Sequence, residues 1–173
     1  MKNPITVMTA MVSVEFVLYT MCLCTPQWLV QPEGTSEGLF AICNTFQGFS
    51  SCTALPAWMG SFSLTWMFLA GSCGLSFLTL FAIRPAILRG GRAVVAVLLN
   101  FSSVLSCIGA LVSFLVTTKA QVPLALHYLG WSFYICCATL FYASLVSVVL
   151  AVVRGSPRVE PADAVGHVFV PQP

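Results

Sequence analysis

Four apolar runs, residues 5–24, 61–83, 93–118 and 130–153, decide what this chain can become. None holds a Lys or Arg, and the only acid among them is Glu15. Each is long enough to cross roughly 30 Å of hydrocarbon at about 1.5 Å per residue. Charged residues make up 7% of the chain, against roughly 25% in a soluble domain. A soluble fold built from this composition would lack the polar side chains to cover its surface. The composition therefore predicts an integral membrane protein, and a net charge of +2 does not indicate a nucleic-acid partner.

Orientation follows from the basic residues. Lys2, Arg84, Arg89, Arg92, Arg154 and Arg158 flank one side of the runs, and Lys119 alone flanks the other. Six against one predicts cytoplasmic termini and a cytoplasmic 84–92 loop, with 25–60 and 119–129 outside. Spans and short loops fill nearly the whole length, so the reading is one domain, 1–153, and a short disordered tail, 154–173. That tail is rich in proline. The alternative for the first run is a cleaved signal peptide, because Lys2 precedes it and Cys22-Leu23-Cys24 puts small residues where a peptidase could cut. Its length of about 20 residues exceeds the usual apolar core of such peptides.

The 27–60 segment changes texture. Gly34, Gly38, Gly48, Pro32 and Pro56 accompany a run of Ser and Thr, which suits short strands and turns. Residues 39–43 are the expected first strand, and residues 46–49 running on to Cys52 the second. Cys43 and Cys52 lie on the oxidising side of the membrane in this orientation, where a disulfide forms and persists. The bridge would close a loop of about ten residues and contribute about 2–3 kcal/mol. Two free thiols are the alternative. Trp28 and Phe40 are placed to seat the loop at the membrane interface. Phe46 and Phe49, on the stretch 44–51, read either as anchors for a partner or as rings dipping into lipid.

Within the spans, Ala70, Gly71 and Gly74 form one small-residue stripe and Ser102, Ser106, Gly109 and Ala110 another. Such stripes let helices approach closely in lipid. Packing within one bundle is the main reading, and a homodimer face the alternative. Cys22, Cys24, Cys73, Cys107, Cys136 and Cys137 fall in or at the ends of spans, where cysteine acts as a small packing residue. No spacing of Cys and His suits a metal. Glu15 is expected to be a structural acid, protonated and bonded to a hydroxyl such as that of Ser103 or Ser106, with Asn100 lying nearer the cytoplasmic face. A transport pathway through Glu15 is the lesser alternative. No nucleophile–base pair, phosphate-binding loop or other catalytic constellation appears, so neither an enzyme nor a cofactor is expected.

The pattern resembles the claudin, peripheral myelin protein and epithelial membrane protein superfamily. Trp28 follows the first span, and Gly38-Leu39-Phe40 stands where that family carries Gly-Leu-Trp. Cys43 and Cys52 take the places of its cysteine pair, and residues 126–134 resemble the entry into its fourth span. The resemblance implies an all-α membrane protein, a four-helix transmembrane bundle bearing a small disulfide-stapled extracellular antiparallel β-sheet. It also implies a plasma-membrane protein acting in cell–cell contact, junctions and membrane organisation. The partners it implies are membrane lipid and the same or a related protein. The alternative is an accessory subunit that modulates a larger channel, receptor or trafficking protein through its spans. The stretch between Cys43 and Cys52 carries no charge, unlike the loop expected of a charge-selective pore.

Overall fold

Each apolar run forms one helix. The structure, a computed structural model, describes residues 4–25, 27–30, 34–46, 49–54, 62–89, 93–121 and 129–155. The helices are α1 (Pro4–Cys24), α2 (Ser63–Arg89), α3 (Ala93–Gln121) and α4 (Trp131–Gly155). All four are long and apolar enough to cross a membrane. Between α1 and α2 lie β1 (Leu29–Val30), β2 (Thr35–Glu37), β3 (Ala41–Phe46) and β4 (Phe49–Ala54). They form one antiparallel sheet in the order β1-β2-β3-β4.

The bundle is apolar outside and carries its polar side chains within. Val17, Leu78, Phe81, Val116, Phe141 and Val152 face outward, while Glu15, Ser72, Ser76, Asn100, Ser103 and Thr139 are fully buried. Water would penalise that outer surface, and hydrocarbon suits it. The chain is a multi-pass membrane protein with four spans. Several hydroxyls in the spans donate back to the carbonyl one turn earlier, as Thr20 does to Phe16 at 2.9 Å and Thr139 to Ile135 at 2.8 Å. That bond satisfies a polar group without a partner helix.

The most extensive helix pair is α2 with α3, and small residues let it close. A Cβ on Gly71 would lie 3.1 Å from Ser106 Oγ, and one on Gly109 would meet the Phe68 ring at 3.1 Å. Ser106 Oγ donates to the Phe68 carbonyl at 2.7 Å, and Ser103 Oγ to the Ser72 carbonyl at 3.1 Å. Ala110 is fully buried. Gly74 and Ser102 instead face outward, with open space around Gly74. Gly71, Ser106 and Gly109 thus line the α2–α3 seam, while Gly74 and Ser102 stand outside it. The 3.6-residue helical repeat explains the split, since positions four apart drift around a long helix.

Several helix boundaries differ from the sequence expectation, and α4 runs to Gly155, two residues into the expected tail. α2 remains helical through Pro85 to Arg89, so residues 84–89 extend the helix rather than forming loop. Proline removes one donor from the ladder, but a helix can absorb that single loss. α3 likewise continues to Gln121, three residues past the span expected to end at 118. The tail, 156–173, and residues 122–128 lie outside the described residues.

Candidate interaction site at the sheet end of the bundle

Trp28 sits under the sheet and closes the top of the helix core. It is fully buried, and its ring packs on Phe114 with centroids 4.9 Å apart. Phe114 in turn meets Phe62 at 5.2 Å and Phe133 at 5.7 Å. The indole Nε1 donates to the Cys22 carbonyl at 3.0 Å. That carbonyl lies in the last turn of α1, where helices leave acceptors without partners. The side chain therefore caps α1 and plugs the bundle together. Its expected place in the lipid interface is corrected: Phe114, backed by Phe62 and Phe133, and the α1 carbonyl form a better-matched pocket than headgroups do.

Backbone bonds fix the sheet to this plug. Trp28 N donates to the Glu37 carbonyl at 3.0 Å and Gly130 N to the Trp28 carbonyl at 2.8 Å. Leu29 makes a β-bridge with Leu129, and Ser132 N donates to the Gln27 carbonyl at 3.2 Å. The start of α4 is thereby stitched to the start of the sheet. Gly130 is obligatory there. A Cβ at that position would lie 2.0 Å from the Gln27 carbonyl oxygen.

The family-like motif divides its work. Gly38 is buried, and its N–H donates to the Ala41 carbonyl at 2.8 Å. This turn precedes β3, so the strand begins at Ala41 and not at residue 39. Leu39 is buried in the same cluster as Trp28. Phe40 is half-buried and meets Trp66 edge-on at 6.0 Å.

β3 and β4 form a hairpin paired from Ala41↔Ala54 to Phe46↔Phe49. The second expected strand, running through 46–49, is therefore corrected: the chain reverses there. Cys43 and Cys52 face each other across the pair and are joined by a disulfide, with Cα atoms 4.0 Å apart. The Cys43 side is buried, whereas residues 51–54 of β4 are exposed. β4 ends the sheet, and an edge strand presents backbone donors and acceptors. Phe49, at the tip, is 82% exposed. Its partner in register, Phe46, has a side chain outside the described residues.

A second polar group lies deep in the bundle. Asn100 Nδ2 donates to Glu15 Oε2 at 2.8 Å, and Ser147 Oγ donates to Asn100 Oδ1 at 2.5 Å. Asn100 thus reaches Glu15 itself, which corrects its expected placement nearer the cytoplasmic side. Ser103 lies beside the carboxyl, but its proton goes to Ser72; Ser106 bonds Phe68 instead. Near the sheet end, Cys107 Sγ and Cys136 Sγ are 3.8 Å apart, and Cys22 Sγ lies 3.7 Å from Thr139 Oγ1. All three thiols are buried packing groups.

Sequence reading found Trp28 and the cysteine pair but not Phe114, Gly130 or Ser147. Of these only Gly130 left a signal, a glycine immediately before the apolar run of α4. No protein-family model matches the chain, and no curated protein matches it.

Proposed function

We propose that the chain is a claudin-like plasma-membrane protein that acts structurally in cell–cell contact, meeting the same or a related protein through its outer sheet. Both termini are cytoplasmic in this reading, which the six-to-one basic asymmetry supports. The Cys43–Cys52 disulfide supports the same assignment, because such bonds form and persist on the oxidising side of a membrane.

The observation that carries the reading is Phe49. A ring 82% exposed stands at the tip of a hairpin that is bonded at Cys43–Cys52 and joined through β2 to β1, the strand that follows Trp28. Rigid support lowers the ordering cost of binding, and exposed aromatics are common anchors of interfaces. The stretch between the two cysteines has no charge, so two copies can meet tip to tip without like-charge repulsion. Among the described residues β4 is an edge strand of the sheet, and its backbone groups add to the same surface.

The test is microscopy of the tagged full chain in fibroblasts that lack junctions, beside Phe49→Ser and Cys43→Ser. Enrichment where two expressing cells touch, lost in Phe49→Ser at equal surface level, is the expected result. Uniform surface staining of the parent would refute trans-contact. It would favour the accessory-subunit reading, for which Gly74 and Ser102, exposed outside the α2–α3 seam, offer close approach to another helix.

A further inference from the structure

Three of the six free thiols meet at one place in the bundle. Cys107 Sγ of α3 and Cys136 Sγ of α4 are 3.8 Å apart. Cys136 also has Cys22 of α1 as a hydrogen-bond partner, and Cys22 Sγ lies 3.7 Å from Thr139 Oγ1. All three cysteines are fully buried, in the cluster that contains Trp28 and Phe114. The Trp28 indole, which donates to the Cys22 carbonyl, ties this cluster to the sheet end.

At rest the thiols fill space, and their contact gives them a second chemistry. Among the described residues, no group of three or more His, Cys, Asp or Glu is placed to hold a metal ion, which leaves reaction between sulfurs. The Cys107 and Cys136 sulfurs must close by about 1.8 Å to reach a bonded S–S distance of about 2.05 Å, and rotation about χ1 moves a sulfur that far. Ala110, one turn from Cys107, and Ala143, two turns from Cys136, are also fully buried, and small residues let helices approach closely in lipid. A buried thiol is ordinarily inert for want of thiolate. Here the second sulfur is already in place, so bond closure is effectively unimolecular. The oxidant must be uncharged, because an ion entering an apolar interior is heavily penalised.

We propose that Cys107 and Cys136 are a site of reversible oxidation, closed by a small neutral peroxide to a disulfide that ties α3 to α4. One sulfur of the pair attacks a peroxide oxygen and the O–O bond breaks. Its thiol proton goes to the departing hydroxide, leaving a sulfenic acid and one water. The other sulfur then displaces the sulfenic hydroxyl, which leaves with the second thiol proton as another water. Two S–H bonds and one O–O bond are thus lost and one S–S bond is gained; both sulfurs are oxidised and the peroxide is reduced to two waters. A thiol reductant restores the pair by exchange.

The test is peptide mapping by mass spectrometry. The full chain in detergent is treated with hydrogen peroxide, then denatured and alkylated without prior reduction. The expected product is a Cys107–Cys136 linked peptide pair, lighter than the free peptides by two hydrogens and abolished by dithiothreitol. It should form on the order of tenfold faster in the folded chain than in guanidinium-unfolded chain, because the fold holds the sulfurs together. Cys24→Ser, which removes the exposed free thiol, should leave that rate unchanged. Alkylation of both Cys107 and Cys136 after a treatment that oxidises Cys24 would overturn the proposal. So would equal rates in folded and unfolded chain, dependence on Cys24, or a Cys22–Cys136 link in place of the expected one.

Discussion

Replacing Gly130 by alanine should break the junction between the sheet and α4. The added Cβ would lie 2.0 Å from the Gln27 carbonyl oxygen and 2.6 Å from its carbon. Both are backbone atoms and cannot rotate away, so the two segments must separate by about 1 Å before the contact is tolerable. That separation stretches the Gly130–Trp28 and Ser132–Gln27 backbone bonds, now 2.8 and 3.2 Å. Overpacking costs about 1–3 kcal/mol, and each weakened bond about 0.5–1.5 kcal/mol. The total is about 2–6 kcal/mol, a fall in Tm on the order of 10 °C for a chain of this length. The assay is thermal unfolding in detergent, followed by tryptophan fluorescence, with Gly74→Ala as the control. Gly74 has nothing within 4 Å of its added Cβ, so that variant should stay within about 1 kcal/mol of the parent. A Gly130→Ala protein that melts within about 2 °C of the parent would refute the idea that close backbone approach joins sheet and bundle.

The remaining expectations concern the plug, the staple and the buried network. Trp28→Ala should cost about 3–5 kcal/mol, and Trp28→Phe less, because a ring still fills part of the pocket while the bond to the Cys22 carbonyl and part of the buried volume are lost; melting curves of the two order them. Cys43→Ser or Cys52→Ser should lower folding and surface delivery more than removal of residues 156–173, and equal surface biotinylation of mutant and parent would contradict this. Asn100→Leu leaves the buried Glu15 carboxyl without its donor, at about 1–3 kcal/mol. Adding Glu15→Leu should restore part of that loss, because a matched apolar pair has no unpaired group; a double variant less stable than Asn100→Leu would disprove it.

The spans were legible because long apolar runs in lipid permit little but helices, and Cys43 with Cys52 because they are the two cysteines of a polar, turn-rich segment between spans. β1 and β2 were not legible. Strands of two and three residues carry almost no pattern of their own and exist because Leu29 pairs with Glu37 and Thr35 with Asn44. The depth of Asn100 was misjudged because counting residues along one helix ignores how far the helices are offset from each other. The Trp28 pocket joins groups from α1, α3 and α4 and the residues before α2, so its burial is a tertiary fact. A tryptophan after a span reads locally as an interface anchor, and only the Phe114 cluster turns it inward.

The central claim is that the sheet presents Phe49 to a copy on the neighbouring cell. Its most direct measurement is a mixed culture of junction-free fibroblasts expressing differently coloured parent and Phe49→Ser chains at matched surface levels. Fluorescence at contacts between two parent cells should exceed that at contacts between a parent and a Phe49→Ser cell, and contacts between two Phe49→Ser cells should show no enrichment. Equal enrichment at all three kinds of contact would show that the Phe49 tip does not make the contact.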